Sequence, residues 1–110
     1  MDVYIADYLR SPFSRSRPKE PERDVFNALR MDEVLALLIK EIIKRTNVDP
    51  KEIGDVITGC AFQVHENWLY GGRHPVLLAN LPWEVPSMAV DRACASSLTA
   101  IGIGAMEIQT

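Results

Sequence analysis

MDEVLALLIKEIIKRTNVDPKEIGDVITGC, residues 31–60, reads as a helix followed directly by a strand. Val34, Leu35, Leu37, Leu38, Ile39, Ile42 and Ile43 recur at helical spacing between Met31 and Thr46. Asp32 and Glu33 stand near the start of that run and Lys44 and Arg45 near its end. Acids at the positive end and bases at the negative end of the macrodipole support a helix over 31–46. Asn47-Val48-Asp49-Pro50 supplies a stop, then a one-turn helix capped by Asp49 with proline at its first position. Asp55 to Cys60 is short, apolar and β-branched, which predicts a buried strand.

Upstream of this unit, Val3 to Tyr8 reads as a further short strand. Arg10 to Asp24 carries three prolines and mixed charge without an apolar period, so an exposed loop is expected there. Downstream, Gly71 to Leu81 is weakly helical and ends before Pro82, and Val85 to Val90 forms a third strand flanked by proline. Between Ala93 and Met106 one charge-free segment alternates small residues with Leu98, Ile101, Ile103 and Met106. A helix without charge on any side predicts burial, and its small side chains suit close approach between layers. Alternating strands and helices give an α/β fold with a mixed β-sheet.

The whole chain has 110 residues, with 12 Lys and Arg against 15 Asp and Glu, for a net charge of -3. That length is one domain or part of one, and 47% hydrophobic with 25% charged residues is the balance of a soluble globular protein. An acidic chain has no electrostatic reason to follow a phosphate backbone, so no nucleic-acid partner is expected. No stretch approaches the roughly 18 apolar residues of a membrane span. Cys60 and Cys94 form no CxxC pair, which points to neither a disulfide framework nor a zinc site and is simplest in a reducing cytoplasm.

Cys94 follows the third expected strand and opens the charge-free helix, where unpaired N–H groups and the helix dipole favour a thiolate. A nucleophile suits that position, and so does an inert buried thiol. Other candidates read more simply as structure. His74 precedes Pro75 near a helix start, and His65-Glu66 lacks a second histidine because Leu69 holds that place. Gly102 and Gly104 lie within the apolar helix, where packing explains them better than a dinucleotide turn. Cys60 ends a strand among apolar neighbours and reads as core. Ser96 and Ser97 fit packing and capping in a first helical turn, and Arg10, Arg15, Arg17, Lys19 and Arg23 interleave with acids as a solvated loop.

Val90-Asp91-Arg92-Ala93-Cys94-Ala95-Ser96-Ser97-Leu98-Thr99-Ala100 resembles the active-site cysteine segment of the thiolases. Val3 to Asp7 with Arg10-Ser11-Pro12-Phe13 is similar to their opening strand and turn. Val56 to Cys60 with Gln63 resembles their second strand, and Arg73 through Pro82 with Val85-Pro86 resembles the helix and loop before the nucleophile. Two positions depart from the common pattern: Asp91 replaces an asparagine and Ser97 a glycine. A carboxylate beside the sulfur would oppose thiolate formation. The cysteine segment also resembles that of the β-ketoacyl synthases, while the other segments favour thiolase.

The resemblance implies a thiolase-like layered fold and an acyl-CoA acyltransferase in which Cys94 accepts an acyl group from a CoA thioester, forming or cleaving 3-ketoacyl-CoA. No cofactor is implied, since acetyl-CoA or a longer acyl-CoA is the substrate. Residues 1–110 would be the N-terminal portion of a thiolase N-terminal domain, ending just past the cysteine helix. The activating histidine, second cysteine and oxyanion donors of the family come mainly from a C-terminal half that this sequence does not contain. The chain alone is therefore expected to be inactive, partnered either by that half or by copies of itself through Ser87 to Val90. The other readings are a non-catalytic thiolase-like subunit or remnant, and a relative of the β-ketoacyl synthases.

Overall fold

The structure is a computed structural model that describes residues 1–67 and 72–110. The expected helix start at Gly71 lies outside the described residues. Helix α1 spans Met31–Thr46, as the apolar period predicts. Asp32, Ala36, Ile39 and Ile43 form its inner face, while Leu37 is 65% exposed on the outer one. Asn47 ends the helix in the left-handed conformation, donating its N–H to the Ile43 carbonyl. A 3-10 turn follows at Pro50–Glu52, with the Asp49 side chain accepting the Lys51 N–H as expected.

Strand β1, Val56–Gly59, pairs in parallel with strand β2, Ser87–Val90, in the register Val56↔Ser87 through Gly59↔Val90. The crossover between them carries helix α2, Arg73–Leu78, and helix α3, Ser96–Gln109, follows β2. Alternation along β1 splits the helices between the two faces of the sheet. Val56 packs against a cluster of Ala36, Val76, Ala79, Leu81 and Val85 from α1, α2 and the following loop. Ile57 points the other way, toward Gly104 of α3. The result is a helix–sheet–helix layering around two strands, with Val76 at 0% exposure in its centre.

Four expectations are corrected. The described sheet is parallel only, not mixed. Val3 to Tyr8 forms no strand: Tyr4, Ile5 and Tyr8 are at least 79% exposed. A strand needs a neighbour to take its N–H and C=O groups, and none lies beside this segment among the described residues. β1 is half-buried throughout, because among the described residues only one short strand flanks it. The helix after Cys94 is not enclosed: only Ser96 and Ala100 are buried, while Leu98 is 72% and Ile101 57% exposed. One sheet covers one side of α3, and nothing among the described residues covers the other.

Smaller features fall as expected. The Arg10 to Asp24 segment is a loop with a 3-10 turn at Pro21–Arg23, where Glu20 pairs with Arg17 and Arg23 in solvent. α2 ends before Pro82, with Asn80 left-handed at its exit. The Arg73 guanidinium donates to the Trp83 and Val85 carbonyls and ties the start of α2 to the loop entering β2. Among the described residues, no helix is long and apolar enough to cross a membrane.

Candidate functional site

Because β1 and β2 are parallel, their carboxyl ends lie at one edge of the sheet, where open α/β sheets commonly place ligands. Cys60 leaves β1 at that edge, its N–H donating to the Val90 carbonyl at 2.9 Å. Four residues beyond Val90, Cys94 stands exposed in the turn that leads into α3. The structure thus places Cys94 between strand end and helix start, one residue before Ala95 at the helix boundary.

The turn itself is tightly specified. Ala93 has φ of 45°, a left-handed conformation rare for a residue with a side chain. The Asp91 Oδ1 accepts the Ala93 N–H at 2.9 Å. Ser96 is 3% exposed; its hydroxyl accepts the Arg92 N–H at 2.9 Å and donates to the Ala93 carbonyl at 2.7 Å. The Ala95 and Ser96 N–H groups return to the Arg92 and Ala93 carbonyls. Asp91 therefore holds the backbone through an oxygen that asparagine would also offer, so its difference from the common thiolase residue preserves this contact. Ser96 packs as expected, but it pins the preceding turn rather than capping the helix.

Gly59 lets this turn sit against the sheet. A Cβ at that position would stand 2.5 Å from the Ser97 nitrogen and 2.6 Å from the Ser96 carbonyl carbon. The close approach expected of the small residues in α3 occurs here. Gly102 has open space, and Gly104 leaves ordinary contact distance to Ile57.

A cleft of about 220 Å³ opens beside the same sheet edge, lined in part by Asp32, Thr58, Cys60, Glu66 and Gly72. Cys60 is half-buried there, just past the end of β1 and on the cleft wall rather than in the core as expected, with its Sγ 3.2 Å from the Phe62 carbonyl. Asp32 at the head of α1 is 3% exposed and meets the Arg30 guanidinium through both oxygens, at 3.1 and 2.8 Å. Burial raises the Asp32 pKa, but the Arg30 and Glu33 N–H bonds and nearby positive charge outweigh it and leave it below the usual carboxylate range. His74 occupies the first turn of α2, as expected, with Nδ1 3.9 Å from Asp32 Oδ2. The Glu66 carboxylate accepts the Met31 N–H across 35 residues and serves the start of α1. Sequence spacing gives no sign of either long-range contact, since each joins separate elements.

The comparisons with known proteins agree with this architecture. Residues 3–110 match the family model described as thiolase, N-terminal domain. A 3-ketoacyl-CoA thiolase of Marinomonas sp. (strain MWYL1) is 38% identical over 99% of this chain and 27% of its own length. A 3-ketoacyl-CoA thiolase of Acinetobacter baylyi is 37% identical over 99% of this chain and 27% of its own. A beta-ketoadipyl-CoA thiolase of the same species is 40% identical over 97% of this chain and 25% of its own. The chain spans about a quarter of the length of these curated relatives. With nearly every residue inside the matched region, the chain belongs to the thiolase family.

Proposed function

We propose that this chain supplies the acyl-accepting cysteine of a thiolase acting on 3-ketoacyl-CoA. The observation that carries the reading is Cys94 itself, exposed in a fixed turn between β2 and α3 at the carboxyl edge of a parallel sheet. In cleavage, the Cys94 sulfur adds to the keto carbon of the substrate. The bond between that carbon and the α carbon breaks, its electron pair stays on the departing acetyl-CoA, and a proton replaces it there. A CoA thiol then takes the acyl group, and its proton returns to the Cys94 sulfur. The reverse sequence forms 3-ketoacyl-CoA. A thiolate suits both directions because it attacks readily and leaves readily. No redox step occurs, so the reaction calls for no cofactor beyond the CoA thioester.

The reaction also needs a base for the thiol and donors for the oxyanion, without which turnover would be slow. On this proposal they come from the remainder of a thiolase, joined to these residues or associated with them, and residues 1–110 are the N-terminal portion of its N-terminal domain. The reading places the enzyme in the cytoplasm as a homo-oligomer.

Intact-mass measurement after incubation with acetyl-CoA or acetoacetyl-CoA, with and without a separately expressed C-terminal half, tests it. One acetyl group on the protein, lost in Cys94→Ala, is the expected result. Acyl transfer that persists in the assembled Cys94→Ala enzyme would overturn the assignment, and assembled wild type that never acylates would favour a non-catalytic subunit.

A further inference from the structure

We infer that Ser96 and Asp91 are positioning residues that set the direction of Cys94, an inference that rests on Cys94 being the acyl acceptor. The peptide leading into Cys94 is held at both sides of Ala93. Its N–H goes to Asp91 Oδ1, and its carbonyl accepts both the Ser96 hydroxyl at 2.7 Å and the Ser96 N–H at 3.2 Å. The same hydroxyl accepts the Arg92 N–H, so one buried oxygen bridges the Asp91–Arg92 and Ala93–Cys94 peptide groups, on either side of the Arg92–Ala93 peptide and just ahead of the cysteine. Ala93 keeps its left-handed φ of 45° inside this frame, and that conformation decides where the next residue's side chain leaves the backbone. Ser96 is in turn fixed from below, because Gly59 brings β1 directly against the Ser96–Ser97 backbone.

Two roles for Asp91 predict different behaviour. If it acts as an acceptor for Ala93, asparagine replaces it and alanine does not. If its charge acts on the sulfur, asparagine and alanine have the same effect.

The test follows alkylation of Cys94 by iodoacetamide as a function of pH, resolved by peptide mass so that Cys60 is counted separately, in the full 110-residue chain. Acylation by acetyl-CoA, with the complementary thiolase half added, is measured in parallel. Ser96→Ala and Asp91→Ala are expected to displace the pH–rate profile and to slow acylation on the order of tenfold or more, as misplacement of a reacting group does. Asp91→Asn should retain both wild-type behaviours. Circular dichroism checks folding, and if Ser96→Ala does not fold, the exposed Asp91 pair decides the matter.

Wild-type profiles in Ser96→Ala and Asp91→Ala would overturn the inference, and equal shifts in Asp91→Asn and Asp91→Ala would overturn the acceptor role. A wild-type protein that alkylates with the expected variant pattern but never acylates would instead overturn the acyl-acceptor reading and leave the positioning intact.

Discussion

At the residue scale, the buried carboxylate of Asp32 is where charge and stability are most closely linked. Its pKa lies below the unfolded value of 3.8, despite the opposing effect of burial, because Arg30 and the Glu33 N–H hold the ionised form. A carboxyl group depressed by folding stabilises the protein fully above its unfolded pKa, and that contribution disappears as pH falls through the folded value. Asp32→Ala should therefore lower stability by about 1–3 kcal/mol near neutral pH. The low end is favoured because Arg30 is 48% exposed and stays hydrated when its partner is removed. The difference between wild type and variant should shrink below roughly pH 4. Urea unfolding at neutral and acid pH checks both statements, and a difference independent of pH would show that the ion pair contributes nothing. Cys94 and its neighbours were legible in the sequence because the thiolase pattern there is contiguous. Arg30 and Glu33 are sequence neighbours of Asp32, but the approach of His74 was not legible, since it lies on another helix and only folding brings it near. The type of Asp91 suggests a charge effect on the sulfur, while its hydrogen bond from the Ala93 N–H depends on the local turn geometry that only the fold displays.

At the scale of elements, the helices were readable because each closes its own hydrogen bonds, and the strands only where a partner exists. α1 occupies Met31–Thr46, the span of its apolar period, whereas Val3 to Tyr8 has strand composition and forms no strand. Contact between elements follows a different logic, set by individual atoms. Gly59→Ala places a methyl group against the Ser96–Ser97 backbone, which has no flexible end to move aside. Overpacking of this kind costs about 1–3 kcal/mol, and the same displacement should disturb the turn that carries Cys94. Gly54→Ala is the comparison: its Cβ meets nothing within 4 Å, and the substitution should leave stability unchanged or raise it slightly. Thermal unfolding of the two variants measures the contrast. Equal melting temperatures would mean that β1 and α3 can separate at no cost, and the close approach would then have no part in fixing the turn.

For the molecule as a whole, the balance between covered and uncovered apolar surface governs behaviour in solution. The radius of gyration is 14.8 Å, against about 13 Å for a compact domain of roughly 100 residues. Residues 1–30 contain no strand or α-helix, and α3 has a sheet on one side only. The charge-free sequence of α3 predicts a buried helix, but burial depends on what packs against it, and only its sheet-facing side is covered among the described residues. Leu98 at 72%, Met106 at 56% and Ile108 at 50% exposure leave the outer face uncovered. Contiguous apolar surface of this kind drives association, so the isolated chain should self-associate with rising concentration, as light scattering would detect. Leu98→Gln with Ile108→Lys adds polarity on that face without touching the buried Ser96 and Ala100, and should reduce association while circular dichroism stays unchanged. If the unmodified chain remains a monodisperse monomer over the same range, the outer face of α3 is not acting as an adhesive surface. Association that the double variant leaves undiminished would shift attention to other exposed apolar side chains, among them Tyr4, Ile5 and Phe13 near the start of the chain.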